Sequence, residues 1–278
     1  MKSKSELYTE AELRFSEMFT QQVNPQIVVI LIETSHPANI GSTARAMKTM
    51  GLTHLRLVEP NDFPSARAQW LASGANDVLD SATSYETFAA ATADCQLVIG
   101  TSARMRGLPW PNIAPPEATK MALNYGLSGQ KVALVFGREA RGLTNEELRD
   151  CQVHTMIPSN PDYGVLNIAA AVQVICYELR MQAFYYDQAL HDDVRASSDF
   201  TLLPRDQPLA DQQALQGLMA HLQRSFTAVN FIQPHNHGKI WPRIMRLLQR
   251  SHLDLKEVAL LRGLAHHLEV LMGKSKRD

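Results

Sequence analysis

The sequence has few cysteines and no long apolar run. Its three cysteines, Cys95, Cys151 and Cys176, are far apart and form no C-x-x-C pair, so we expect neither a disulfide framework nor a cysteine metal site. No apolar run has the length needed to cross a bilayer, and residues 1–13 lack the apolar core of a signal peptide. We therefore expect a cytoplasmic protein with reduced thiols and no membrane segment.

Several nucleotide-binding and enzyme signatures are also absent. The sequence contains no G-x-x-x-x-G-K-[ST] loop and no G-x-S-x-G elbow of a hydrolase. It lacks the G-x-G-x-x-G fingerprint of a nicotinamide oxidoreductase and an acidic residue at the usual distance, which disfavours that class. The histidines could suggest a metal, but no third ligand type is suitably spaced, so we expect none. They are His235, His237, His266 and His267.

Strand and helix patterns alternate between residues 26 and 185. The near-continuous apolar runs Ile27–Ile32 and Val132–Phe136, the latter in a predicted strand over 131–136, are typical of parallel strands covered on both faces. The alternation predicts an α/β domain with a mainly parallel sheet. Further strands are predicted over 54–58, 77–79, 96–100 and 153–157, and helices over 39–50, 64–73, 85–91, 117–125, 144–150 and 166–185.

The pattern changes near residue 187. The polar stretch 187–205 predicts a linker, and the segments 208–232, 238–250 and 254–272 each have the apolar stripe of a helix. We therefore expect four parts. They are an N-terminal helical extension (1–25), an α/β domain (26–186), the linker (187–205) and a helical C-terminal domain (206–278).

Charge is distributed unevenly along the chain. The formal net charge is only −1, but residues 201–278 hold 11 Lys and Arg against 6 Asp and Glu. A basic tail on an acidic body suggests an anionic partner such as nucleic acid, although a merely solvated basic face fits the charge equally well.

The apolar run Val132–Phe136 ends at Gly137, and a charged loop with a second glycine, Gly142, follows. Thr144 and Glu147 have the spacing of a capping box at the start of a helix. Open α/β sheets bind ligands where buried strands end in polar loops. The sequence therefore predicts a ligand crevice at the end of this strand.

A second stretch, Asn39–Lys48, follows the first predicted strand. Gly41 and small residues near the start of a helix suit an anion, and Arg45 can project toward the same crevice. A tightly packed helix with a surface arginine explains the same spacing.

Two more stretches follow later strands. In Gly100–Pro111, the arginines Arg104 and Arg106 suit phosphate contacts, whereas Trp110 is better explained as a plug at the edge of the core. In Ile157–Asn167, proline and glycine predict a turn whose backbone can contact a flat group. A simple strand–helix connection explains that turn as well.

Taken together, these stretches resemble the signature motifs of the SPOUT methyltransferases. HPANIGSTARAMKTMG resembles the first motif, VFGREARGLTNEEL the second and NPDYGVLNIAAAVQVICYE the third. The run GTSARMRGLPWP and the helical C-terminal extension are most similar to one bacterial branch. Its members methylate the ribose 2′-OH of cytidine or uridine at position 32 of the tRNA anticodon loop.

The resemblance implies a SPOUT fold whose C-terminal part forms a deep trefoil knot, which sequence physics alone would not propose. It also implies a homodimer with its active site at the subunit interface, tRNA as substrate, and S-adenosyl-L-methionine (AdoMet) as cofactor without a metal. The expected cofactor-binding residues are Thr101, Ser102, Ala103, Gly137, Ile157, Gly164, Val165 and Leu166.

The resemblance further assigns roles in catalysis and RNA binding. Arg45 is expected to act at the ribose hydroxyl together with a tRNA phosphate, Glu139 to orient its neighbours and Asn167 to orient the ribose. Asn39 belongs to the same catalytic set, and Arg104 and Arg106 are expected to bind RNA phosphates.

One position departs from the family pattern. Val165 stands where many relatives have serine, two residues before Asn167. A backbone contact to the cofactor tolerates valine, but a role of the hydroxyl does not. This departure is the only support for one alternative, a non-catalytic RNA-binding module. The other alternative that stays open is a ribosomal RNA 2′-O-methyltransferase of the same fold.

Overall fold

The computed structural model describes residues 9–102, 112–191, 207–233 and 237–275. The chain divides into two compact units. The first comprises Met1–Ala91 and Leu97–Thr201, and the second comprises Thr92–Gln96 and Leu202–Asp278. Most of the predicted linker lies outside the described residues.

The first unit contains, within the described ranges, a seven-stranded sheet in which all neighbouring strands are parallel, in the order β3-β2-β1-β6-β4-β7-β5. Strands β1 and β6 are buried along their whole length, and Val29 of β1 pairs with Leu134 of β6. The predicted parallel α/β architecture is therefore confirmed. The strands are β1 Ile27–Ile32, β2 His54–Val58, β3 Thr83–Tyr85, β4 Leu97–Thr101, β5 Asn112–Ile113, β6 Val132–Phe136 and β7 Val153–Thr155.

Helices connect these strands, and most match the predicted segments within a few residues. The prediction of a strand over 77–79 is wrong, because these residues lie in a short helix and the strand follows at 83–85. Val78 and Leu79 are both buried, and adjacent residues of a helix can share one buried side. The helices are α1 Glu10–Met18, α2 Pro37–Thr49, α3 Ala66–Ala72, α4 Asn76–Asp80, α5 Phe88–Thr92, α6 Pro115–Leu127, α7 Asn145–Asp150 and α8 Ile168–His191.

The N-terminal extension packs against α8. The ring of Phe15 lies edge-on to Phe184 with 5.3 Å between centroids, and the Arg180 guanidinium lies 4.9 Å from the Phe15 ring centroid. Arg180 also donates a hydrogen bond of 3.1 Å to the Met50 carbonyl oxygen. Helix α1 is therefore part of the core of the first unit.

The second unit contains the helices α9 Gln212–Ala228, α10 His237–Arg250 and α11 Leu255–Ser275. Their apolar faces form one core, in which Leu218 and Ala265 are fully buried. The predicted helical C-terminal part is confirmed. No helix in the described ranges combines the length and the apolar character needed to cross a membrane.

A short segment from the middle of the chain belongs to this second unit. The backbone N–H of Gln212 donates to the Cys95 carbonyl oxygen at 2.8 Å, and that of Gln213 donates to Ala93 at 3.0 Å. These bonds provide acceptors for two N–H groups at the start of α9, which have none within the helix itself.

Candidate active site

A cavity of about 680 Å³ opens at the carboxyl ends of β6, β4 and β7, which are neighbours in the sheet. Its walls come from the loops that follow these strands, as the sequence predicted for a ligand crevice. Seven of the residues predicted to bind a cofactor line it: Thr101, Ser102, Gly137, Ile157, Gly164, Val165 and Leu166.

Other lining residues were missed by the sequence analysis. Phe136 is the last residue of β6, and the others lie in the charged loop after β6 and in the first turn of α8, next to residues that were predicted. The sequence signal that could have identified them is their position next to predicted residues, because a loop that folds back brings consecutive residues to the same wall of a cavity. These residues are Phe136, Arg138, Ala140, Arg141, Gly142, Ile168 and Ala171.

Gly137 is required by the path of the loop that follows it. A Cβ atom at Gly137 would lie 2.2 Å from the backbone of Gly142 and of Leu143. Gly142 has a φ of +65°, and its N–H donates to the Arg138 carbonyl oxygen at 2.8 Å. Glycine is therefore required at position 137 because the backbone of the same loop packs directly against it.

Gly41 has a similar packing role in α2. A Cβ atom there would lie 2.1 Å from the carbonyl oxygen of Ala68 in α3, and Gly41 is buried. Because α2 begins at Pro37, the interpretation of Gly41 as part of an anion-binding helix start is wrong, and close helix packing explains it.

Arg45 lies one turn after Gly41 on α2. It is exposed, and its side chain has no hydrogen-bonding partner among the described residues. It does not belong to the lining of the cavity. The guanidinium is therefore available to an external anion.

Glu139 joins the charged loop to the segment after β1. One carboxylate oxygen accepts hydrogen bonds from the N–H and the hydroxyl of Ser35, at 3.1 and 3.0 Å. The other accepts 2.9 Å from Nδ2 of Asn39. Burial raises the pKa of Glu139, but the bonds from Asn39 and Ser35 outweigh burial and hold the pKa below its ordinary value. Glu139 is thus a carboxylate that orders its neighbours.

Asn167 extends this network to the start of α8. Its Nδ2 donates 3.0 Å to Oδ1 of Asn39, and its own oxygen accepts 2.9 Å from the N–H of Ala169. Asn39, Glu139 and Asn167, one from each of three predicted motifs, therefore form a continuous hydrogen-bonded chain. Glu139 and Asn167 also line the cavity.

Arg138 fixes the other side of the loop. It donates two hydrogen bonds of 3.0 Å to the carboxylate of Glu147 and also pairs with Glu33. These carboxylates, Glu33 first, raise the pKa of Arg138. Glu147 in turn completes the predicted capping box, because it accepts 2.7 Å from the N–H of Thr144. The loop is therefore held between β1 and α7.

Four residues that the sequence singled out lie outside the described residues: Ala103, Arg104, Arg106 and Trp110. Their predicted roles stay predictions. Among the described residues, no group of three or more His, Cys, Asp or Glu side chains is arranged to hold a metal.

Comparison with known proteins identifies the family. Residues 26–177 match the SpoU rRNA Methylase family, and residues 213–277 match the tRNA methyltransferase TrmJ, C-terminal domain. The chain belongs to the SpoU methylase family. The first match lies mainly in the first unit of this SpoU methylase, and the second match lies in the second unit.

Relatives of this SpoU methylase carry informative names. The tRNA (cytidine/uridine/adenosine-2′-O-)-methyltransferase TrmJ of Pseudomonas aeruginosa (strain UCBPP-PA14) is 44% identical over 239 residues, which cover 86% of this chain and 92% of that protein. The tRNA (cytidine/uridine-2′-O-)-methyltransferase TrmJ of Klebsiella pneumoniae (strain ATCC 700721 / MGH 78578) is 43% identical over 243 residues, covering 87% and 96%.

Solved structures agree with this assignment. TrmJ from Z. mobilis ZM4 aligns with a TM-score of 0.71 and 29% identity over 87% of this chain and 98% of that one. A probable methylase family protein from Haemophilus influenzae Rd KW20 aligns with a TM-score of 0.55 and 38% identity, covering 90% and 98%. The expected methyltransferase family and its α/β fold are confirmed. The knot, the homodimer and the roles of individual residues stay predictions.

Proposed function

We propose that this SpoU methylase is a cytoplasmic enzyme that transfers a methyl group from AdoMet to a ribose 2′-hydroxyl of tRNA. The target is the cytidine or uridine at position 32 of the anticodon loop. The observation that carries the proposal is the hydrogen-bonded chain of Glu139, Asn39 and Asn167 beside the cavity. Relatives named as tRNA 2′-O-methyltransferases at 43–44% identity support the choice of substrate.

The cavity suits AdoMet in size and in chemistry. Its volume of about 680 Å³ falls within the range of small-molecule sites. Phe136, Ile157, Val165 and Leu166 supply apolar walls for the adenine, and the loop after β6 supplies backbone polar groups. The predicted cofactor residues in the described ranges would hold AdoMet there, with the second-motif loop as one wall.

When bound, AdoMet would supply an electrophilic methyl group on its sulfonium, and the resulting thioether would be the leaving group when the ribose oxygen takes the methyl. The ribose hydroxyl is a very weak acid, so a base must take its proton as the bond forms. A guanidinium is already protonated, so Arg45 would orient a tRNA phosphate and a phosphate oxygen would accept the proton. Asn167 orients the ribose, and Glu139 holds the amide of Asn39. Positioning then supplies much of the rate.

Basic surfaces would bind the RNA backbone. In α10, Lys239, Arg243 and Arg250 are exposed at spacings of four and seven residues, so they follow one face of the helix. The helix contains no acidic residue, and its opposite face is buried through Trp241 and Leu248. We assign this basic face of α10 to RNA phosphates, together with Arg104 and Arg106.

A homodimer would complete the site. Three large hydrophobic side chains within one stretch of four residues near the cavity are exposed: Tyr163, Val165 and Leu166, the last two in its wall. Exposed apolar groups beside a cavity indicate that another molecule covers them. We infer that a second subunit and the RNA together bury these exposed side chains. We also infer that the chain forms the trefoil knot of its family.

The test is methyl transfer from labelled AdoMet to bulk tRNA and to ribosomal RNA, both taken from cells that lack the gene. We expect label in tRNA only, and mass mapping of nuclease fragments should place it on the ribose of nucleotide 32. A transcript with a 2′-deoxynucleotide at that position should accept no methyl group. Label in ribosomal RNA alone would establish the other methyltransferase, and no binding heat with AdoMet would indicate a non-catalytic module.

A further inference from the structure

Tyr163 is the most exposed large hydrophobic side chain in the described part of the chain, with 89% of its surface accessible. It does not lie in a loose segment. Its N–H donates 3.1 Å to the Asn160 carbonyl oxygen, and the side chain of Asn160 accepts 3.1 Å from the N–H of Asp162. The turn that carries Tyr163 is therefore internally braced.

The next residue ties this turn to its own beginning. The hydroxyl of Ser159 donates 2.7 Å to the carbonyl oxygen of Gly164, and a Cβ atom at Gly164 would lie 2.8 Å from Asn160 O and from Ser159 Oγ. The backbone on both sides of Tyr163 is thus fixed, while its ring projects into solvent. A ring held in this way loses little backbone entropy when it binds a partner.

The position of the turn relates Tyr163 to the reaction. Gly164 and Val165 line the cavity, and Asn167, four residues after Tyr163, is hydrogen-bonded to Asn39. A ribose that reaches the methyl donor must enter beside this wall, and it brings its own base and the neighbouring bases with it.

We propose that Tyr163 is a positioning residue that stacks on a base of the RNA substrate beside the cavity. This inference rests on the proposed function. An RNA base offers a flat π-face whatever its identity, and single-stranded loops are recognised by such stacking on aromatic side chains. The phenol tip can stay in water while the ring covers the base. Stacking keeps the target ribose close to the amide of Asn167.

The experiment compares Tyr163→Phe, Tyr163→Leu and wild type in the full-length protein. Because stacking acts in the ground state and in the transition state, we expect Tyr163→Leu to raise the KM for tRNA about 10- to 100-fold with little change in kcat. Tyr163→Phe should keep the wild-type KM. The affinity for AdoMet should be the same in all three, which also checks that the variants are folded.

A spectroscopic readout separates stacking from a merely apolar contact. Transcripts carrying 2-aminopurine at single positions of the anticodon loop should be quenched at one position by wild type and by Tyr163→Phe, but not by Tyr163→Leu. Trp70→Leu is the matched control. Trp70 is also exposed, at 77%, but lies on α3 and is not part of the cavity lining. This variant should change neither the KM nor the quenching.

Three results would overturn the inference. One is a Tyr163→Leu enzyme with the wild-type KM and quenching. Another is an equal loss in the Phe and Leu variants. The third is a loss that accompanies dissociation of a dimer in light scattering, which would assign Tyr163 to the subunit interface. If wild type itself methylates no tRNA, the proposed function fails instead, and tRNA binding with 2-aminopurine quenching still tests the stacking contact.

Discussion

Oε1 of Glu139 accepts a hydrogen bond of 2.9 Å from Nδ2 of Asn39. The bond orients the Asn39 amide so that its oxygen faces Asn167, which donates to it at 3.0 Å. The carboxylate of Glu139 therefore determines which atoms donate and which accept in the hydrogen-bonded chain that runs from the loop after β6 to the start of α8. This ionised group connects the loop after β6 with the segment after β1 and, through Asn39, with the start of α8. We therefore expect its loss to lower both stability and activity.

Replacing Glu139 by glutamine should lower the free energy of unfolding by about 1 to 2 kcal/mol at pH 7. The NH₂ group of glutamine would then face hydrogen-bond donors that the carboxylate oxygen now accepts from. The pKa of Glu139 is held below its ordinary value of 4.5, so its contribution is complete above about pH 4.5. It disappears as pH falls through the lower pKa of the folded protein. Urea unfolding of both proteins between pH 7 and pH 3 measures this. A constant difference across that range would contradict the prediction.

Replacing Arg45 by alanine should reduce methyl transfer at least about 100-fold, since we propose that its guanidinium positions the phosphate beside the reacting hydroxyl. The affinity for AdoMet should persist, because Arg45 is not part of the cavity lining. Single-turnover assays and calorimetry measure the two quantities. Arg67→Ala, at an exposed arginine of α3, is the control and should keep full activity. Unchanged turnover in Arg45→Ala would rule out this role.

Replacing Gly137 by alanine should weaken AdoMet binding at least about 10-fold and destabilise the first unit, because the new Cβ would meet the backbone of Gly142 at 2.2 Å. Calorimetry and thermal unfolding report both effects. Gly263→Ala is the matched control, since a Cβ atom there meets nothing within 4 Å in helix α11. That change should be neutral or stabilising by about 0.5–1 kcal/mol. Wild-type binding by Gly137→Ala would show that the loop can shift at little cost.

Removing charge from the basic face of α10 should weaken tRNA binding and its dependence on salt. Each phosphate contact contributes about 0.7 to 0.9 to the slope of log K against log salt, so Arg243→Ala with Arg250→Ala should reduce the slope by about 1.4 to 1.8. Fluorescence anisotropy of tRNA binding, measured at several salt concentrations between about 50 and about 300 mM, gives this slope. Lys120→Ala, in α6, is the control with one charge removed. An unchanged slope would place the RNA elsewhere.

The sequence predicted the elements of the sheet well, because fully covered parallel strands appear as unbroken apolar runs such as Ile27–Ile32. It also predicted the capping box at Thr144, which is a local pattern with a local cause. It failed at 77–79, where three residues are too few to distinguish a strand from a helix turn.

The candidate site was only partly predictable. The loops could be chosen because they follow strands, and seven predicted residues do line one cavity. The hydrogen bonds and ion pairs that organise the site could not be predicted from the position of the loops along the sequence. The bond between Asn39 and Asn167 joins positions 128 residues apart, and the pairing of Arg138 with Glu33 depends on the neighbouring positions of β1 and β6. Such contacts follow from strand order, which spacing along the chain does not contain.

The inclusion of Thr92–Gln96 in the helical unit affects how the protein can be dissected. A fragment that starts after the linker would lack the carbonyl oxygens of Ala93 and Cys95, to which the first turn of α9 donates. During synthesis, those acceptors leave the ribosome more than a hundred residues before the helix that uses them. The C-terminal helices can therefore reach their complete native structure only when the segment Thr92–Gln96 is also present. Domain-swap chimeras between relatives should exchange both pieces together.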